Sequence, residues 1–545
     1  MTHPTLTRLF EDGTWRLSRA GAWSLVGAFV IGAAIVCAAR AYDWYHPFIA
    51  NDFNTVYFAH FARDLLRYPL AATHGLMANL VGDSPAPSIA GNAVTFYPDH
   101  PSGLIWLIGL ANRLFVGDPV VAARLVSIAA SLGIGATLIA FVCRRVAPLP
   151  AIGTIFVLLT LNLYWEHAVV GQFEPVVTLF MLGAAVAFLA YLRQPTARRL
   201  AAAALLWTAG MLCDWPAYLL GGPIAAALLY RRWWGTLVFF TALGVATMAA
   251  VYAHLVLGGT GVSPVASFSS TFGDTINKTP YLATLPAIFR LAVRAFWWWT
   301  LFLLLPFVGL FRRAVDTDTR ELRFVFLAFL FAGVGHDLLF NQWAREHSFW
   351  NYYLIPAVCI GAAIALQCLH EIPIRSGRTA LAFRTVVVAL FIVGAVSSAR
   401  HMVFFLRSHF YPVKPLAALL DEQGVKDLLD RDSMILVAPY CREPQRLPDA
   451  ARAADCEIYS IESSLARFAV DRPAFATSDF DATKANCGKT FVVVKSPETM
   501  RKLAQLGVTP VAVTWFRWNV LRLSQLGPPY CSNPSRIFAD VHRQP

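Results

Sequence analysis

Charge is what this sequence has least of. Only 14% of its 545 residues are Asp, Glu, Lys or Arg, while 57% are hydrophobic. A typical soluble domain carries about 25% charged residues. A water-soluble fold of this composition would have to expose much of its apolar surface, so an ordinary globular enzyme is excluded. Disordered, collagen-like and coiled-coil chains each need a different bias and are excluded too. Several motifs are also missing. There is no GxGxxG opening a βαβ unit, no GxxxxGK[ST] and no HExxH, so nothing supports a soluble nucleotide-sugar enzyme, an ATPase or a zinc protease. No internal repeat or low-complexity tract is evident. What remains is an integral membrane protein.

The charge that is present is mostly positive, with a formal net charge of +12. Its distribution speaks against nucleic acid as a partner. The arginines come in short groups between apolar runs: Arg144-Arg145, Arg198-Arg199, Arg231-Arg232, Arg312-Arg313. That is the positive-inside pattern of a polytopic protein. A span needs about 20 mostly apolar residues. Ala22–Ala39 follows Arg8, Arg16 and Arg19, which places residues 1–21 in the cytoplasm and makes this first span a signal anchor. The external stretch 42–118 carries two juxtamembrane helices, Val56–Tyr68 and Leu104–Phe115; the second is too short to cross.

Crossings then follow at Val120–Val142, Ile152–Trp165 and Val176–Tyr191. Ala201–Tyr230 reads as a tight hairpin broken at Asp214-Trp215-Pro216 and Gly221-Gly222-Pro223. Further crossings fall at Leu237–Leu257, around Phe296–Phe311, and at Val325–Phe340, Trp350–Leu369 and Thr385–Phe405, with an external loop over 258–286. The pattern predicts about eleven spans in 22–405, with every arginine cluster on one side. The segment 406–545 is more polar, and the odd span count puts it outside. Met434–Val437, Thr490–Val494 and Val511–Phe516 read as strands, Lys414–Leu429 and Pro497–Leu506 as helices, so a small extracytoplasmic α/β domain is expected. Four of the nine cysteines, Cys441, Cys456, Cys487 and Cys531, lie there. An even count in an oxidising compartment fits two disulfides, with three pairings open.

Ionisable groups near spans are costly and therefore informative. Asp52, in Asn51-Asp52-Phe53-Asn54, stands just before the first juxtamembrane helix. It fits either a carboxylate base for a hydroxyl nucleophile or an N-cap. Glu174, in Gly171-Gln172-Phe173-Glu174-Pro175, sits at an outer turn, where it either caps the next helix or binds the hydroxyls of a polar substrate. Asp214 lies in the broken hairpin, where interrupted backbone is tolerated only against protein or a wet cavity. Together Asp52, Glu174 and Asp214 outline an outward-facing polar cavity. Cationic candidates share that side: His100 in Tyr97-Pro98-Asp99-His100-Pro101, Lys278 in the external loop, and Arg345 and His347 before Trp350-Asn351-Tyr352-Tyr353. They suit a lipid-linked phosphate, or they anchor at the interface with the tyrosines. His336 and Asp337 lie about a turn deeper.

Taken in order, these features resemble the GT-C superfold of membrane glycosyltransferases, in the branch of protein O-mannosyltransferases and aminoarabinose-lipid A transferases. The matching residues are Asn51-Asp52-Phe53-Asn54 after the first span, Tyr97–Leu104 leading the second juxtamembrane helix, and Leu114–Leu125 entering the next span. Glu174-Pro175, the broken hairpin and Glu346–Tyr353 complete the set. The resemblance covers about residues 20–370 and rests on order and spacing. It implies a donor sugar on a polyprenyl or dolichyl phosphate, transfer outside the cytoplasm with inversion, and Asp52 as base or acceptor-positioning group. Where relatives commonly carry Asp at the second outer turn this chain has Glu174, and where several carry Lys or Arg it has His100. Tyr352 joins His100, Lys278, Arg345 and His347 as a donor phosphate or sugar contact. A divalent cation is compatible with the chemistry, although no clean ligand cluster demands one.

The expected partners are membrane lipids, the polyprenyl-phosphate sugar and an extracytoplasmic lipid, glycan or protein acceptor. The expected location is a prokaryotic inner membrane, with the active site facing the periplasm or exterior. The rival class is a transporter or flippase. That class favours mid-membrane charges on broken helices in duplicated halves, whereas this sequence has one broken hairpin and no duplication.

Overall fold

The computed structural model describes residues 19–40, 53–67, 70–79, 95–96, 100–257, 281–310, 317–340, 344 and 348–371, scattered positions between 385 and 400, Gln505 and five strands between 434 and 522. In chain order the helices are α1 (Arg19–Arg40), α2 (Phe53–Arg67), α3 (Leu70–Thr73), α4 (Gly103–Ala111), α5 (Pro119–Val142), α6 (Pro148–Thr160), α7 (Asn162–Ala168) and α8 (Phe173–Arg193). They continue as α9 (Ala197–Cys213), α10 (Pro216–Leu219), α11 (Gly221–Tyr230), α12 (Trp234–Leu255), α13 (Tyr281–Phe296), α14 (Leu301–Leu310), α15 (Thr317–Leu339) and α16 (Ile355–Glu371). The strands are β1 (Ala78–Asn79), β2 (Thr95–Phe96), β3 (Met434–Val437), β4 (Ala474–Ala476), β5 (Thr490–Val494), β6 (Val511–Val513) and β7 (Trp518–Arg522).

The chain divides into two units. One comprises Met1–Tyr42, Pro98–Leu107 and Arg124–Phe410. It is a helical bundle: α8 packs against α9, and α16 packs against α6, α14 and α15. Small side chains such as Ala357, Ala362 and Ala363 are fully buried on α16, as expected where apolar helices associate without water to drive them and must instead approach closely. The outer surface is apolar. Trp234, Val238 and Val245 of α12 are all about two-thirds exposed, tolerable in lipid and a liability in water.

Among the described residues five helical segments are long and apolar enough to cross a membrane: Pro119–Val142, Phe173–Arg193, Trp234–Leu255, Arg320–Leu339 and Phe349–Cys368. A sixth arises if α6 and α7, bent by 57°, count as one span. The other expected crossings fall on α1, whose apolar stretch is the shorter Ala20–Ile35, on shorter helices (α9, α11, α14) or on 385–405, of which only scattered positions are described. The stretch expected as an external loop over 258–286 lies outside the described residues up to 280; α13 begins at Tyr281.

The second unit comprises Asp43–Tyr97, Ile108–Ala123 and Tyr411–Pro545. Its helix α2 starts at Phe53 and buries Phe58, Phe61, Ala62 and Leu65 at helical spacing. The helical stretch Gly103–Val116 is ended by Gly117. With φ +73° it adopts the left-handed conformation glycine tolerates, and its N–H donates to the Asn112 carbonyl at 2.8 Å. Asp118 then caps α5, its Oδ1 accepting from the N–H groups of Val120 and Val121 at 2.8 and 3.0 Å, with Pro119 at the first helical position.

The five later strands form a mixed sheet in the order β4-β3-β5-β7-β6. β3 runs parallel to β4 and β5, whereas β7 is antiparallel to β5 and β6. The runs MILV and TFVVV are apolar without alternation, which suits parallel strands covered on both faces. The expected helices Lys414–Leu429 and Pro497–Leu506 lie outside the described residues, Gln505 excepted.

Candidate active site

A polar cluster forms at one end of the first unit, and the broken hairpin builds it. α9 ends at Cys213 because Asp214 turns extended (φ −163°, ψ 160°) and Pro216 cannot continue the ladder. The Asp214 carboxylate is buried and fully engaged. Its Oδ1 accepts from the Trp215 N–H at 2.8 Å and lies 2.7 Å from His100 Nδ1; its Oδ2 accepts from the Tyr353 hydroxyl at 2.9 Å. Both carboxylate oxygens therefore have partners within the protein.

His100 reaches Asp214 because α4 opens directly against the end of α9. Gly103 sits so close that a Cβ there would run into the Leu212 carbonyl and the Cys213 sulfur. Gly103→Ala is therefore expected to push the start of α4 away, loosen the His100–Asp214 pair and cost about 1–3 kcal/mol of stability. A thermal melt of purified protein checks this, and a wild-type melt would mean the two helix ends adjust freely.

The His100 ring stacks on Phe173, centroids 4.6 Å apart and planes 20° apart. Phe173 opens α8, so Glu174 falls in the first turn beside Pro175. Glu174 is buried, and the fields of both Asp214 and His100 reach it. Its Oε2 has no hydrogen-bond partner among the described residues. The turn before α8 is pinned from α5: Arg124 donates to the Val169 carbonyl at 3.1 Å, and Ser127 Oγ accepts from the Gln172 N–H at 3.3 Å. His336 closes another side, with its ring centroid 5.3 Å from that of Tyr353 and its Nδ1 3.8 Å from Asp337 Oδ1.

The structure thus brings His100, Glu174 and Asp214 together with His336 and Asp337. Asp52, Lys278, Arg345 and His347 lie outside the described residues. Tyr352 is fully buried, and its hydroxyl is 3.0 Å from Ser131 Oγ. Its neighbour Tyr353 is the tyrosine that touches Asp214, a role no sequence motif marked. Among the described residues no three His, Cys, Asp or Glu side chains are grouped as metal ligands.

A second polar cluster lies at the other end of the same helices. Glu321, at the start of α15, binds Arg145 (Nε at 2.9 Å, Nη2 at 2.5 Å) and Arg193 (Nη2 at 2.8 Å, and Nε). α8 has Glu174 in its first turn and Arg193 in its last. At 1.5 Å per residue its 21 residues separate the clusters by about 30 Å, the thickness of a bilayer's hydrocarbon core.

No protein-family model matches the chain, and no curated protein matches it in sequence. Solved structures do match. ArnT from Cupriavidus metallidurans in the apo state has a TM-score of 0.55 at 16% identity, covering 94% of this chain and 100% of ArnT. The same protein bound to undecaprenyl phosphate gives 0.53 at 16%, covering 93% and 99%. The chain has the GT-C fold. It is a multi-pass helical membrane protein whose GT-C likeness runs over nearly its whole length. An oligosaccharyltransferase from Archaeoglobus fulgidus, in complex with Zn and sulfate, matches more loosely, with a TM-score of 0.46 at 12% identity over 87% of this chain and 69% of its own.

Proposed function

We propose that this protein is an inverting glycosyltransferase that moves a sugar from a polyprenyl-phosphate donor to a hydroxyl of an extracytoplasmic acceptor. The observation that carries this reading is the pair of buried carboxylates at one end of a GT-C bundle: Asp214 fully engaged, Glu174 with one oxygen still open. In the proposed step the acceptor oxygen attacks the anomeric carbon and the bond from that carbon to the phosphate oxygen breaks. The hydroxyl proton passes to Asp52, and the polyprenyl phosphate leaves. Asp214 organises the site through His100 and Tyr353, while Glu174 accepts a hydrogen bond from a sugar hydroxyl. His100, Lys278, Arg345, His347 and Tyr352 are the proposed donor contacts, supplying positive charge or donors where the phosphate develops its own. The undecaprenyl phosphate bound by ArnT supports a lipid carrier of that class here. A lipid tail can stay in the bilayer while its phosphosugar meets a hydrophilic acceptor only at such a membrane-surface site.

The test is to incubate purified protein with a panel of polyprenyl-phosphate sugars. Consumption of one, with release of polyprenyl phosphate, is expected. Consumption of none, with movement of a lipid-linked substrate across vesicles instead, would assign the protein to transport.

The proposed topology has eleven spans in 22–405, a prokaryotic inner-membrane location, and an α/β domain outside after residue 405. Cysteine-accessibility labelling at the loops should find those carrying Arg145, Arg199 and Arg313 reactive from the cytoplasm, and those carrying Asp52 and Glu174, with the chain after 405, reactive from the other side. Labelling of residues after 405 from the cytoplasm alone would overturn it. Cys441, Cys456, Cys487 and Cys531 lie outside the described residues. Non-reducing mass spectrometry should find two disulfides among the four; four free thiols in folded protein would count against an oxidising compartment.

A further inference from the structure

A cavity of about 600 Å³ opens at the end of the bundle opposite Asp214, within the range of about 300–1,000 Å³ typical of ligand sites. Arg144, Arg145, Arg193 and Arg199 all line it. One carboxylate, Glu321, binds Arg145 and Arg193, while Arg144 and Arg199 have no carboxylate partner among the described residues. Solvated arginines obeying the positive-inside rule need no cavity. Here the guanidinium groups of Arg145, Arg193 and Arg199 are held in place around one. Arg145 lies over the Phe141 ring at 3.7 Å and donates to the Phe141 carbonyl at 2.7 Å; Arg199 Nη1 donates to the Ala190 carbonyl at 3.0 Å. Arg144 makes no hydrogen bond or ion pair among the described residues.

Thr137 and Gln194 apart, the remaining wall is apolar, with small side chains such as Ala140 of α5, and Trp23, 56% exposed, is part of it. Guanidinium groups prefer the bidentate geometry of phosphate oxygens. Apolar walls on membrane-spanning helices suit an acyl chain, and an exposed tryptophan suits the headgroup level.

We propose that this cavity binds the phosphate headgroup of an anionic phospholipid from the adjacent leaflet. The inference rests on the helices crossing a membrane and not on the transferase assignment, so either can fail alone.

The test uses full-length protein, exchanged into detergent and titrated with phosphatidylglycerol or phosphatidylcholine under native mass spectrometry. Wild-type protein should bind phosphatidylglycerol in preference. Arg144→Gln/Arg199→Gln, which leaves the Glu321 pairs alone, should bind it about 30-fold more weakly, from two lost arginine–headgroup attractions. Ala140→Phe, which fills the cavity and keeps all four arginines, should lose the same binding. Unchanged phosphatidylglycerol affinity in either folded variant overturns the proposal; if the double variant does not fold, Ala140→Phe decides. Equal competition by glycerol 3-phosphate would make this a soluble-phosphate site and refute the lipid.

Discussion

Asp52→Asn protein is expected to transfer sugar about 10²- to 10⁴-fold more slowly than wild type while binding the donor nearly as well. The change removes the charge and keeps the size and most hydrogen bonding, so it isolates the proton-accepting role. The helical alternative forecasts the opposite. α2 begins at Phe53, one residue after Asp52 in the chain, and Asn caps helices about as well as Asp. A pure cap would therefore leave turnover almost unchanged. Single-turnover assays with a saturating polyprenyl-phosphate sugar separate the two. Full activity in folded Asp52→Asn protein would retire Asp52 as the base and move that role to Glu174, whose Oε2 has no partner among the described residues.

Asp214→Ala should be the most destabilising single change at the site. With His100 protonated, removing one partner of a buried ion pair costs about 3–5 kcal/mol, and the low end applies because the His100 side chain is 25% exposed. The substitution also strands the Tyr353 hydroxyl, which is fully buried. Tyr353→Phe removes only one hydrogen bond and should cost about 1 kcal/mol. Unfolding of the purified variants in detergent gives both values. If Asp214→Ala proves no worse than Tyr353→Phe, the His100 contact contributes little and the hairpin is held by packing alone, for instance by Trp207 Nε1 donating to the Ala217 carbonyl at 2.8 Å.

Local signals carried much of this structure. Gly117-Asp118-Pro119 announces a helix stop, a cap and a first helical residue, and each does that work. Asp214-Trp215-Pro216 announces the break in the hairpin. The arginine groups announce one polar end of the bundle. Other features depend on partners far apart in sequence and leave no local trace. His100 and Asp214 are 114 residues apart, and their meeting depends on how closely Gly103 approaches Leu212. Glu321 sits in the charged run TDTRELR, which reads as a solvated helix start, yet it binds Arg145 and Arg193 from two other helices. The two adjacent tyrosines have different partners for a geometric reason. Ser348–Leu354 is a 3₁₀ helix with three residues per turn. Successive side chains then point about 120° apart, so Tyr352 meets Ser131 and Tyr353 meets Asp214.

The length of α8 is fixed from both ends. Adding one residue to its middle would rotate the two ends by about 100° against each other, taking either Glu174 from His100 and Asp214 or Arg193 from Glu321. Adding a whole turn would restore the facing and lengthen the helix by about 5 Å, so one polar cluster would leave its own membrane surface. Neither repair is available without a matching change in α15, which links the same two clusters in the opposite direction, from Glu321 to His336. These two antiparallel helices therefore act as a matched pair of spacers, and drift in the length of one is tolerated only together with drift in the other.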